Sequence, residues 1–240
     1  MANENGEWIM RGLDWDDPLR IRSWRELINW INEVGFLPLF KNEVDGFSAE
    51  EHVADAFWWT GDPEQDPWFW REIIARSGEV AYGKFFGNRT GFISLEWFPV
   101  FANYRRDGYD FDARWDDELA NIRHKKIMDC FPGDEEYMGL ELKRKCGFGK
   151  NGYKNFDGMI AELQMQTYLV VRDFRRKKNK KGGEYGMPVC IYCRPETLWG
   201  YEIVTSAYRE DPAESKEKIF RRVRELFPGA SEKQMNKVLK

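Results

Sequence analysis

The chain predicts an α+β fold, on three observations. Amphipathic helical stretches alternate with short aromatic and β-branched runs punctuated by glycine, not with the regular crossovers of a parallel sheet. In the second half a helix, a polar turn, a second helix and a β-hairpin follow in that order, which is a winged helix-turn-helix. Aromatic residues make up 16% of the chain and include 11 Trp, enough to build a ring-rich centre between two such modules. At 240 residues the chain can bury a substantial core. We expect an arm at 1–22, an N-terminal α+β module at 23–132, and a winged-helix module with C-terminal helices at 133–240.

The elements follow from local signals. The arm carries Trp8 and Trp15 to pin it. "SWRELINWINEVG" opens at Ser23 with Glu26 three residues on, the capping-box spacing. Trp24, Leu27, Ile28, Ile31 and Val34 then form a helical stripe, and Gly35 is a natural stop. "FSAEEHVADAFWW" predicts a second amphipathic helix opened by Ser48, ended by "TGDPEQDPW". "VAYGKFFGNRTGFISLEWF" predicts short strands or a hairpin, and "PVFANYRRDGYDF" a helix and turn. "WDDELANIRHKKIMDCF" predicts one helix ending at Pro132-Gly133, and "DEEYMGLELKRKCG" another, stopped by Gly147. After the turn "FGKNGYKN", Asn155 is placed to cap "FDGMIAELQMQ", whose inward stripe is Phe156, Met159, Ile160 and Leu163. "TYLVVRDF" and "YGMPVCIYC" supply the hairpin strands, and "PETLWG" with "ESKEKIFRRVRELFPGASEKQMNKVLK" the closing helices.

Composition excludes several classes. No apolar run approaches the roughly 20 residues of a spanning helix. "MANENGEWIMRG" has neither a basic start nor an apolar stretch, so no membrane partner and a cytoplasmic location are expected. Cys130, Cys146, Cys190 and Cys193 are too few for a disulfide framework. Cys190 and Cys193 spell C-x-x-C, but three apart on a strand they face opposite ways, and only His52 and His124 could complete a metal site. No metal and no cofactor are expected. There is no phosphate-binding glycine loop and no nucleophile elbow. "DGYDFDARWDDE" lacks the alternating acids and turn glycine of a calcium loop.

The net charge of −4 conceals an asymmetry. Residues 1–120 hold 12 Lys and Arg against 24 Asp and Glu; residues 121–240 hold 25 against 17. Within that basic half, Arg172, Arg175, Arg176, Lys177, Lys178, Lys180 and Lys181 fall between two strands of matching length, so the run is a hairpin tip, not a linker. Such a tip suits phosphate contacts, where counterion release supplies sequence-independent affinity. Lys150, Tyr153 and Lys154 precede the helix, and Asn155, Glu162 and Gln164 are expected on its outer face, Asn and Gln being able to bond base edges. Double-stranded DNA is the expected partner; a solvated basic face is the alternative.

"GKFFGNRTGFISLEWFPVFANYRR" resembles a segment of the AlkZ/YcaQ superfamily of winged-helix DNA glycosylases: Phe85-Phe86 stand at its aromatic pair, Asn88 at its His, and Glu96, Pro99 and Phe101 downstream. "NGYKNFDGMIAELQMQTYLVVRDF" through "ETLWG" resembles that family's winged helix. With "NEVGFLPLFKNEVDGFSAEEH" and "SLEWFPVFANYRRDGYDFDARWDD", the chain resembles the AlkZ-related proteins, a compact branch, over most of 23–228. The resemblance implies bacterial DNA repair on damaged duplex, without cofactor or metal. The family's Gln-x-Gln, Gln-x-Asp or Gln-x-Arg motif would fall at Pro38-Leu39-Phe40, where no side chain can polarise water. Gln164-Met165-Gln166 spells the motif but lies at the end of the expected recognition helix.

Three functional readings stand: a non-catalytic duplex-binding protein, a monofunctional N-glycosylase acting through activated water, and a scaffold that has lost DNA. Glycosylase chemistry needs a carboxylate or amide beside a flipped nucleotide. Glu43 and Asp45, just after the vacated motif, and Glu96 are the weak catalytic candidates, though each also suits a cap or ion pair; Glu96 could hold Arg105 or Arg106. Tyr82, Asn88, Arg89, Glu96, Arg105 and Arg106 are expected around a central pocket. "FWWTGDPEQDPWFW" could stack bases, but four Trp within thirteen residues suit a packed core better.

Overall fold

The structure, a computed structural model, describes residues 9–239. It is an α+β protein with two three-stranded antiparallel sheets. The expected anchoring by Trp8 lies outside the described residues.

Helix α1 (Trp24–Val34) starts where Ser23 accepts a hydrogen bond from the Glu26 N–H, and it buries Leu27, Ile28, Ile31 and Val34. Gly35 ends it at φ 97°; a Cβ there would sit 2.6 Å from the Trp97 ring, so glycine serves both conformation and space. Strand β1 (Phe36–Pro38) pairs with β3 (Arg89–Ser94), which pairs with β2 (Val80–Phe86), in the order β1-β3-β2. The β2–β3 tip is only Gly87-Asn88, both with positive φ, as a two-residue hairpin turn demands. Helix α2 (Pro67–Ser77) covers this sheet and buries Trp70 at 1% exposure, worth roughly 2–3 kcal/mol of apolar transfer.

After α3 (Phe98–Arg106) and α4 (Phe111–Asp116) comes a second layer. Its order is helix α5 (Ile122–Met128), strand β4 (Tyr137–Met138), helices α6 (Gly139–Lys145) and α7 (Phe156–Met165), then hairpin β5 (Val170–Lys178) and β6 (Glu184–Cys193). Its sheet order is β4-β6-β5, again first, third, second. Helices α8 (Pro195–Trp199), α9 (Tyr201–Val204), α10 (Pro212–Leu226) and α11 (Glu232–Val238) close the chain. One core joins α1, α2 and the first sheet to Ile219, Phe220, Val223 and Val238 of the closing helices; a second surrounds Phe131, Leu142, Phe148 and Leu163. No helix of the described residues is long and apolar enough to cross a membrane.

Four expectations are corrected. "FSAEEHVADAFWW" is not an α-helix but two single 3₁₀ turns, Glu50–His52 and Asp55–Phe57, because Val53 and Ala54 instead bridge to Ile21 and Leu13 of the arm. "TGDPEQDPW" begins a helix: Asp66 caps α2, accepting from Trp68, and Pro67 occupies the first turn, where its missing N–H is harmless. "WDDELANIRHKKIMDCF" breaks in two where Glu118 takes φ 60° and the Asn121 side chain caps α5. Asn155 stands at the start of α7 with φ 64°, but its side chain makes no cap bond.

Candidate cleft and basic hairpin

The hairpin projects its outer half into solvent, from Arg175 on β5 to Met187 on β6, while Val170, Val171 and Cys193 at its root are buried. Its five-residue tip is ordered by Asn179, whose side-chain oxygen accepts from the N–H groups of Lys181 (2.8 Å) and Gly183 (3.0 Å). The seven cations divide into two sets. Arg172 donates to the Arg76 carbonyl at 2.6 Å and faces Glu136 at 3.6 Å, while Arg175 is held by Asp173 (3.2 Å) and Glu136 (3.5 Å). Arg176, Lys177, Lys178, Lys180 and Lys181 make no ion pair among the described residues. Between the hairpin and α2, Arg71 is sandwiched by Trp68 and Phe174, 3.7 and 4.3 Å from the ring centroids.

The other expected contacts are placed unevenly. Lys150, Tyr153, Lys154 and Asn155 are exposed on the turn before α7, although the Lys154 ammonium is bonded to the carbonyls of Gly149 and Lys150. Gln164 is not on an outer face: at 2% exposure its amide donates to the Ile160 carbonyl and accepts from Lys84 N–H at 3.1 Å, tying α7 to β2. Gly83 leaves room here, since a Cβ there would lie 2.8 Å from the Phe85 ring and 3.3 Å from the Gln164 oxygen. Gln164→Ala would leave the Lys84 N–H unpaired and should cost about 1–3 kcal/mol of stability in urea unfolding.

A cavity of about 620 Å³ opens beside the first hairpin, lined by Phe40, Lys41, Asn42, Glu43, Glu50, Asn88, Arg89 and Thr90. The segment following β1 and the β2–β3 tip, 45 residues apart in sequence, meet here because β1 pairs with β3. Phe40 forms an apolar wall that continues into Trp58 and Trp68, with ring centroids at 5.5 and 6.1 Å. Glu43 receives both Arg89 amino groups, at 2.5 and 2.7 Å, and the Lys237 ammonium at 2.7 Å. The Arg89 hydrogen bond, reinforced by Lys237 against a partial burial cost, holds the Glu43 carboxyl down at about 2. Glu50 is buried, one oxygen bonded to Arg11 N–H and the other to Lys41 N–H. Asn42 is spent on the Phe47 carbonyl and Val44 N–H. The Asn88 amide makes no hydrogen bond among the described residues, while its backbone N–H meets Met165 Sδ at 3.2 Å.

The Glu43 clasp has a pH signature. A folded-state value below the ordinary 4.5 means that the stability it contributes is complete above that pH and is lost as pH falls toward about 2. Glu43→Gln should flatten that acid limb in denaturation curves taken across the window, with little change near neutrality beyond the loss of the pair.

The remaining candidates do not converge on this cavity. Asp45 is exposed and paired with Lys41 at 3.1 Å. Glu96 lines a different cavity, with Trp97, Lys218 and Arg222, and holds neither Arg105 nor Arg106. Tyr82 is core, packed on Phe92 and Phe174, and burial pushes its hydroxyl up to about 12. Arg105, which burial pulls down to about 10, donates to the carbonyls of Phe85, Met165 and Leu239. Arg106 is a buried strut. Of the six residues expected around one pocket, Asn88 and Arg89 line the cavity. Lys41, Glu50 and Lys237 went unread as site residues; Lys237 had no sequence signal at all, since only the packing of α11 brings it to Glu43. Among the described residues no cluster of three or more His, Cys, Asp or Glu could hold a metal ion.

Two small antiparallel sheets with covering helices, a charged cleft beside the first and a basic hairpin in the second, define an α+β protein. The sequence model of the AlkZ-related family matches residues 21–240, and the chain belongs to that family. Membership places it with DNA-repair proteins of the glycosylase-like kind. Neither the curated proteins nor the solved structures give a match.

Proposed function

We propose that the protein binds double-stranded DNA through a winged helix and does so without the glycosylases' usual catalytic apparatus. The order α5, β4, α6, α7, β5, β6 with strands arranged β4-β6-β5 supports a winged helix whose wing is the 179–183 tip. The order α1, β1, α2, β2, β3 with β1-β3-β2 supports a second, abbreviated module, its wing cut to Gly87-Asn88. The observation that carries the reading is the set of five unpaired cations on the outer hairpin, in a chain whose net charge is −4. Arg176, Lys177 and Lys178 stand at the end of β5, and Lys180 and Lys181 on the tip ordered by Asn179. Phosphates would supply their counterions.

The cleft argues against hydrolysis. Pro38, Leu39 and Phe40 carry no polar side chain, Glu43 is ionised and doubly clasped, and both Glu50 oxygens are occupied by backbone N–H groups. Pro38, Leu39 and Phe40 offer no proton acceptor, and Glu43, held at about 2, returns no proton near neutrality. What remains is a binding cleft with one aromatic wall and the Asn88 amide, a size and chemistry suited to a nucleobase. Fluorescence anisotropy with intact and abasic-analogue duplexes across a salt series tests the proposal. The expected result is binding that weakens steeply with salt and no free base released from alkylated duplex. Absence of binding at low salt would leave the hairpin as a solvated face, and base release would make the protein a monofunctional glycosylase.

A further inference from the structure

The second core contains two thiols that the fold brings into contact. Cys130 follows α5 and Cys146 closes α6; their Sγ atoms lie 3.0 Å apart, and both residues are buried. They share the second buried core with Phe131, Leu142 and Phe148; the two sulfurs meet each other, and the Cys130 sulfur also meets the Lys126 carbonyl at 3.5 Å. The remaining pair behaves differently. Cys190 and Cys193 are three apart on β6 and lie opposite Phe174 and Val170, so neither faces the other.

We propose that Cys130 and Cys146 are a disulfide-forming pair, closed by a two-electron oxidant of the peroxide class, and that the bond staples residues 131–145 into the second core. One sulfur, as thiolate, attacks a peroxide oxygen; the O–O bond breaks, leaving a sulfenic acid and releasing hydroxide, which takes up the proton that thiol had lost. The second sulfur attacks the first, the S–O bond breaks, and hydroxide leaves with the second thiol's proton as water. Two thiols lose two electrons and two protons, and one peroxide becomes two waters.

The closed segment bears on the hairpin. It contains β4, paired with β6 through Tyr137↔Tyr192 and Met138↔Ile191. It also contains Glu136, which holds Arg172 and Arg175 at the root of β5. Stapling it therefore anchors the hairpin whose outer half carries the free cations. Burial, then the hydrogen bond with Cys130, pushes the Cys146 thiol well up, so Cys146 supplies little thiolate at neutral pH and closure accelerates in alkali.

The test is a linkage map of the full chain after limited hydrogen peroxide, digested without reductant and read by mass spectrometry. The expected product is a Cys130–Cys146 peptide two hydrogens lighter than its parts, forming faster at mildly alkaline than at neutral pH. The oxidised protein should melt about 5–10 °C higher, the shift expected for closing a loop of this length. Cys146→Ser should give no link and leave Cys130 as a dimedone-reactive sulfenic acid. Recovery of both cysteines unlinked, oxidised or alkylated independently like Cys190 and Cys193, would overturn the proposal. Should the Ser variant fail to fold, the wild-type map alone decides.

Discussion

Replacing Arg176, Lys177, Lys178 and Lys181 together by Gln is expected to remove most duplex binding while leaving the fold unchanged. All four lie on the solvent-facing half of the hairpin or its tip and none is ion-paired among the described residues, so their loss breaks nothing internal. If each neutralises one phosphate, the slope of log affinity against log salt should become shallower by up to about 4, with affinity near physiological salt falling on the order of 100-fold. Anisotropy at several salt concentrations reads both numbers, and circular dichroism confirms the fold. Arg172→Gln with Arg175→Gln provides the contrast. Those side chains are already answered by Asp173 and Glu136, so they should perturb the hairpin root more than the salt slope. Four neutral residues with undiminished binding would remove the hairpin from the interface.

Arg106→Met should be the most destabilising single substitution, by about 3–5 kcal/mol in urea unfolding. The guanidinium is 1% exposed. It donates to Glu196 at 2.7 Å, to the Tyr208 hydroxyl at 3.1 Å, and to the Thr167 hydroxyl and carbonyl at 3.1 and 2.7 Å. It also lies over the Tyr168 ring at 4.6 Å. One side chain thus ties α3, the α7–β5 turn and α8 together. Removing it leaves a largely buried Glu196 carboxylate without its main cation, which is costlier than the pair was worth. The double variant Arg106→Met/Glu196→Gln should recover part of the loss, because it removes the stranded charge. A loss below about 1 kcal/mol would mean that water reaches the site.

The readable parts of the chain were those whose signals are local. Ser23 and Glu26 open α1, Gly35 ends it, the Phe156–Leu163 stripe is buried, and "NKKGG" is a hairpin tip, because each depends on residues within a few positions. The misread parts have a competing partner elsewhere. Helical spacing in "FSAEEHVADAF" yields to bridges with the arm, and a Cβ on Gly12 would strike the Val53 carbonyl at 2.1 Å, a sign of how closely the two segments press. Pro67 reads as a stop and serves as a start, since Asp66 supplies the cap that periodicity does not register. Gln164 reads as an outward amide on one helix but faces Lys84 because α7 is covered on its β2 side as well.

The sequence by itself determined the α+β class, the family and the basic hairpin, because these are properties of residue type and short spacing. Tertiary structure alone decided which charges are free. Glu43 is answered by Arg89 and Lys237, from 46 and 194 positions away, and Arg106 found Glu196 where Glu96 was expected. Ion pairing depends on distance in space, and a cation's availability to an outside anion is set by which carboxylate the fold has already brought beside it.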